Sequence, residues 1–248
     1  MRTLIQNVTA LTLDAEDRLL PGVELALEDQ CILAVGQAPP DFAPDEVIDG
    51  RELVALPAFF NAHCHAPMTL ERGWAEDLPF ERWLNEKIWV AESALEAEDV
   101  AGGAALAAAE MIHSGSVGFA DHYFWMDRVA EVVAESGMKA LLAWCHFGIG
   151  DDQEVGGVPF EDTVAFVEAW DGAAGGRIHT ALGPHSPYMT PTDVLRRCVA
   201  EAERLGVGAH FHLSESSEQV RRSLERHGLT PPAYVAGLGL LDLPRPTL

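Results

Sequence analysis

The chain has 248 residues, 48% of them hydrophobic, with 16 Lys and Arg against 39 Asp and Glu and a formal charge of −23. That balance argues against a polynucleotide or an anionic membrane surface as partner, since phosphate contacts need cationic side chains, and the apolar share is too high for disorder. No apolar run approaches the ~18 residues of a membrane span, the N-terminus lacks a signal-peptide core, and Cys31, Cys64, Cys145 and Cys198 form no C-x-x-C pair; the expectation is a cytoplasmic protein without disulfides.

Residues 1–52 read as a small β module of the sandwich type, incomplete by itself. Thr3–Val8, Val23–Leu27 and Cys31–Val35 are its strands, separated by turns at Pro21-Gly22 and Glu28-Asp29-Gln30. From 53 to 248 the rhythm changes to strand-length apolar runs alternating with helical stretches. Leu53–Asn61 is the first such strand, and a long loop, Ala66–Ala97, follows it. Ser116–Tyr123, Lys139–Phe147, Arg177–Pro184 and Val207–Leu213 are the next four. The helices between and after them are Glu98–His113, Met126–Ser136, Phe160–Trp170, Pro191–Leu205 and Ser216–His227. Thr190 is placed to cap the fourth helix with Pro191 in its first turn, and Gly228 ends the fifth. Strand and helix in alternation with right-handed crossovers give an α/β fold, either a parallel sheet or a (β/α) TIM-type barrel. Pro232–Leu241 adds a short helix, and Pro246-Thr247-Leu248 reads as the opening of a sixth strand. A barrel of this kind has eight strands, so the fold is expected to be cut short after about five units.

His63-Cys64-His65 closes the first barrel strand. Side chains on a strand repeat every two residues, so both imidazoles face one side and make half of a metal site. With 10 His in the chain, about 0.4 such pairs arise by chance, so the context must carry the argument. Strand two ends near Asp121-His122, strand three at Cys145-His146, strand four at Gly183-Pro184-His185 and strand five at His212. That is the face on which barrel enzymes keep their chemistry. Glu215, three residues beyond His212, sits where a carboxylate can move a proton; its bland alternative is a cap on the following helix. No Lys ends a strand, and Lys139 opens one. His210 reads as a hydrogen-bonded core residue, and His113 and His227 as surface residues on helices.

Several spaced segments carry a resemblance. Asn61 to Leu70 (NAHCHAPMTL), Arg72 to Pro79 (RGWAEDLP), Trp89-Val90-Ala91-Glu92, Gly118 to Phe124 (GFADHYF), Gly183 to Tyr188 (GPHSPY) and His212-Leu213-Ser214-Glu215-Ser216 occur in the expected order. Together they resemble the amidohydrolase superfamily, in the branch holding 5′-methylthioadenosine/S-adenosylhomocysteine deaminases and triazine hydrolases. The resemblance implies His63, His65 and His212 as ligands of one divalent metal, zinc or else iron, nickel or cobalt. It implies Glu215 as proton shuttle, Glu92 as hydrogen-bond acceptor for ribose hydroxyls, and His185 as a wall of the substrate pocket. Tyr123, Phe124, Trp74 and Trp89 would flank a planar ring. The strand-six His and strand-eight Asp of the family have no counterpart in these residues. The arginines that hold a homocysteine tail after strand three are also lacking: His146 to Pro159 contains none.

The expected activity is hydrolytic deamination of an amino-substituted aromatic ring by metal-activated water, with an adenosine-type nucleoside as substrate. Two alternatives stay open: the same chemistry on a triazine, pterin or guanine-like base, or a non-catalytic, truncated metal-binding fragment. The partners expected are a small-molecule substrate and water, with a homo-oligomer left open.

Overall fold

A computed structural model describes residues 1–147 and 158–245. The chain divides into two compact units, Met1–Ala58 and Phe59–Leu248. The first is a mixed sheet of β1 (Arg2–Leu11), β2 (Leu19–Glu28), β3 (Cys31–Gly36), β4 (Glu46–Asp49) and β5 (Val54–Ala55). β1 and β2, then β2 and β3, pair antiparallel, while β4 and β5 run parallel to β1. Val8, Ala10 and Leu25 form its buried cluster.

The apolar run Leu53–Asn61 is therefore not one strand. Pro57 has no N–H to give a ladder; Val54-Ala55 closes onto β1, and a new strand begins at Phe59. The division between the units falls after Ala58 rather than after residue 52.

Among the described residues the second unit holds five parallel strands: β6 (Phe59–Cys64), β7 (Ser116–Tyr123), β8 (Lys139–His146), β9 (Ile178–Pro184) and β10 (Gly208–Ala209). They lie side by side in chain order, joined by crossovers that contain the helices Ala97–His113, Met126–Ser136, Phe160–Trp170 and Thr192–Leu205. This is the α/β architecture of a TIM-type barrel, in five successive units. The Met126–Ser136 helix shows how the sequence dictates the packing. Met126, Val129, Ala130 and Val133 are buried at i, i+3, i+4 and i+7, and Gly137 at φ 82° ends the helix left-handed. These side chains join Phe119, Leu142, Ile178 and Leu182 in the main core.

Four local expectations are corrected. Ala66–Ala97 is largely helical: a 3₁₀ turn at Ala66–Glu71, then a continuous run of helical turns from Phe80 to Glu92 whose middle, Leu84–Ile88, is wound wider. The fifth strand is regular only at Gly208-Ala209, although His210 N–H still donates to Leu182 O (2.9 Å) and His212 N–H to His185 O (2.9 Å). The helix expected from Pro191 starts at Thr192 without a side-chain cap, so Thr190 does not cap it. The helix expected at Pro232–Leu241 spans Pro231–Gly237. The sixth strand expected at Pro246–Leu248 lies outside the described residues, among which no helix is long and apolar enough to cross a membrane.

Gly183 sits where β8 and β9 approach too closely for a side chain. A Cβ there would press into the Trp144 carbonyl and lie 3.1 Å from the His122 ring. Gly183→Ala is expected to cost at least about 2 kcal/mol, because the obstacle is backbone that cannot rotate away. A urea midpoint equal to that of the wild type would reject this.

Candidate active site

The ends of β6 and β10 bring three imidazoles together. One ring nitrogen from each of His63, His65 and His212 lies within 4.8 Å of the other two. Each ring is held from behind at Nδ1. His65 Nδ1 is 2.6 Å from the His122 carbonyl and His212 Nδ1 is 3.2 Å from the His185 carbonyl. His63 Nδ1 is 2.7 Å from His210 Nε2, with the two rings stacked.

Carbonyls only accept, so Nδ1 of His65 and of His212 carries the proton and donates it, leaving each Nε2 as a lone pair. Those two Nε2 atoms face each other at 3.1 Å. Two lone pairs at that distance repel unless a cation or a proton lies between them. Burial pushes both rings down to about 4, which disfavours the proton. The donor set thus fits a divalent ion of the kind that takes neutral imidazoles at about 2.1 Å.

Beside the rings is a cavity of about 90 Å³. His65, His212, Glu215, His185, Glu92 and Tyr123 line it, and Trp89, Phe124 and Phe147 add aromatic surface. His185 is buried, stacks on Phe147 at 4.8 Å and has its Nδ1 3.0 Å from Ser186 Oγ. Glu215 is not the cap of the Ser217–His227 helix. Ser216 takes that role in a reciprocal pair with Gln219, which leaves the Glu215 carboxylate free to accept from Gln219 Nε2 at 3.3 Å. Partial burial raises its pKa, and the Gln219 hydrogen bond opposes the rise. Glu92 is only 6% exposed. Burial pushes its carboxyl up to about 7; the Tyr123 hydroxyl opposes this and the neighbouring Glu71 adds to it.

A model of the amidohydrolase family matches residues 54–248. The chain belongs to the amidohydrolase family. A 5-methylthioadenosine/S-adenosylhomocysteine deaminase of Pelotomaculum thermopropionicum is 41% identical over 244 residues, which is 97% of this chain and 56% of that protein. The amidohydrolase chain thus spans about half the length of the curated relatives it matches. An adenosine deaminase from Xanthomonas campestris with bound zinc superposes with a TM-score of 0.88 at 29% identity, covering 96% of this chain and 55% of that one. Atrazine chlorohydrolase from Arthrobacter aurescens, complexed with zinc, superposes at 0.85 and 20% identity, over 96% and 58% of the two chains, a likeness of fold alone.

Of the residues that sequence reasoning named, His65, His185, His212, Glu92 and Glu215 line one cavity, and His63 stands beside His65 and His212. Trp74 does not join them; it is 58% exposed and lines no part of that cavity. His113 is on the surface as expected, while His227 is half-buried and stacks on Tyr234 at 4.0 Å. Phe80, Trp83, Leu84 and Ile88 also line the cavity and were missed, because their segment was read as loop. Glu71 was missed too; both of its carboxylate oxygens are buried without a hydrogen bond.

The charge states predict a pH dependence. His63, His65, His122, His185, His210 and His212 all have pKa values lowered, chiefly by burial. The unfolded chain takes up protons at these rings below about pH 6.5, whereas the folded chain takes them up only at lower pH. Glu92 and Asp121, pushed by burial up to about 7, and Glu71 and Glu215, also raised by burial, act in the opposite sense above about pH 4, but six rings outweigh four acids. The metal-free protein is therefore expected to lose stability as pH falls from about 6.5 toward 4. Thermal melting after chelation, at pH 7.5 and pH 5, measures this; a higher midpoint at pH 5 would contradict it.

Proposed function

We propose that the protein is a metal-dependent hydrolytic deaminase of amino-substituted aromatic rings, with adenosine-type nucleosides as its substrates. The reading rests on one arrangement: a trio of histidines, two of which, His65 and His212, line an aromatic-walled cavity together with Glu215 and Glu92. The zinc-bound adenosine deaminase of similar fold and the deaminases of similar sequence support it.

His63, His65 and His212 would hold a divalent ion, zinc first and iron, nickel or cobalt as alternatives, which would supply Lewis acidity to make water a nucleophile near neutral pH. Glu215 accepts a proton from the attacking water and passes it to the ring nitrogen beside the amino-bearing carbon. It then serves the departing amine, so that water and R–NH₂ become the oxo product and ammonia. Its raised pKa suits both directions of transfer. Phe124, Trp89 and Phe147 exclude water from the ring. Glu92 holds the ribose hydroxyls and thereby sets the ring's position. We place the enzyme in the cytoplasm, where its free cysteines, two of them buried, remain thiols.

The test is ammonia release by the full-length, metal-loaded protein from adenosine and 5′-methylthioadenosine, against guanine and a triazine. Release from the nucleosides is expected, and its absence would overturn the assignment. Glu92→Ala is expected to raise KM for nucleosides about 10- to 100-fold, the worth of a hydrogen bond to a charged group. Its effect on free bases should be several-fold smaller, and equal effects on both would remove Glu92 from ribose recognition.

A further inference from the structure

Each ring of the histidine trio is backed by one polar group, and the three backings are not alike. Main-chain oxygens of His122 and His185 hold His65 and His212. An oxygen of that kind only accepts, so it fixes the tautomer of the ring in front of it. His63 instead meets a side chain, the imidazole of His210. A neutral imidazole can answer with a donor or with an acceptor.

The contact has the geometry of a hydrogen bond between two rings. His63 Nδ1 and His210 Nε2 are 2.7 Å apart. The ring planes are parallel to within 9°, yet slipped so far that the centroids stand 4.9 Å apart. That is close to the largest separation that a 2.7 Å contact permits, so the two nitrogens lie along the line of ring centres. An imidazole nitrogen carries its N–H or its lone pair along that line.

His210 is held in place to make this contact. It is fully buried, its main-chain N–H donates to Leu182 O at 2.9 Å, and its ring centre is 5.7 Å from that of His122. Its other nitrogen, Nδ1, is buried with no hydrogen-bond partner among the described residues. A polar atom left buried and unpaired is destabilising, and an apolar side chain in the same space would avoid it. What the imidazole adds there is Nε2, and Nε2 meets His63.

Resting on the ion site of the proposed function, we infer that His210 is the positioning residue of the metal ligand His63: its Nε2 accepts the Nδ1 proton of that ring and leaves His63 Nε2 as the lone pair offered to the ion. The direction matters. If His210 donated instead, His63 would carry its proton on Nε2 and have no lone pair left for an ion. His65 and His212 are set for an ion by their carbonyls alone. His63 becomes a ligand in only one of the two arrangements that it shares with His210.

The experiment measures the zinc affinity of the metal-stripped, full-length protein by competition with a chromophoric chelator. Two amides divide the ring between them: that of a Gln reaches the place of Nε2, that of an Asn only the place of Nδ1. His210→Asn is expected to weaken zinc binding about 10- to 100-fold, the effect of losing an outer-shell partner. His210→Gln is expected to keep most of the affinity. Equal affinity in wild type and both variants would overturn the role. An equal loss in both variants would reduce His210 to packing and overturn it as well. Should the variants fail to fold, the wild type still decides. Nitrogen NMR of the zinc-loaded protein is expected to show His63 and His210 both protonated at Nδ1, and a proton on His210 Nε2 would refute the inference. Zinc binding that depends on His210, without ammonia release, would sink the deaminase and leave His210 in its role. Ammonia release with zinc binding independent of His210 would do the reverse.

Discussion

Glu215→Gln is expected to lower kcat for ammonia release by about 10²- to 10⁴-fold, the range of a positioned general acid–base, with zinc content unchanged. The substitution keeps size and shape, and Gln219 can still approach the new amide, so the helix start built on Ser216 and Gln219 survives. What disappears is the capacity to hold a proton between the attacking water and the leaving amine. Neither His185 nor His122 can take over. Both rings have pKa values far below the ordinary one, driven first by burial, so neither holds a proton at neutral pH. The measurement is steady-state kcat together with metal analysis. A variant that keeps more than a tenth of the activity would remove Glu215 from the proton path. Loss of zinc alongside activity would instead mark it as a residue that supports the ligands.

Much of the site was legible because its logic is local and periodic. His63 and His65 share a face by the two-residue repeat of β6, and His212 stands at the end of the fifth strand whatever that strand's length. Alternating apolar runs and amphipathic helices fixed the order of the parallel sheet. The Phe80–Glu92 walls were not legible, since their turns are too short and irregular to establish a helical period, Pro79 directly precedes them and several charges punctuate them. The contact between His63 and His210 joins residues 147 positions apart. The sequence offered only the weak sign that His210 and His212 share a face. Glu71 lay beyond any pattern, because a carboxylate buried beside Glu92 contradicts the rule that places such groups in water. The boundary after Ala58 depended on which sheet Val54-Ala55 joins, a tertiary choice that β-propensity does not encode.

His212→Ala is expected to separate a metal ligand from a hydrogen-bonded core histidine. A ligand that binds only the folded state stabilises it by about 4 kcal/mol at a thousandfold excess over its dissociation constant. In a domain of this size that raises the melting temperature by roughly 10 °C. Losing an outer-shell partner of a ligand already costs about 10- to 100-fold in affinity, so losing the ligand itself costs at least the upper end. At the same zinc concentration the variant then gains no more than about 1.4 kcal/mol, and the increment shrinks to roughly 4 °C. A core histidine would behave otherwise. Its removal would lower the zinc-free and zinc-loaded midpoints together and leave the increment intact. Melting curves with and without zinc for wild type and variant give the four numbers required. An undiminished increment in the variant would exclude His212 from the ligand set, and with it the reason its Nε2 faces that of His65 at 3.1 Å.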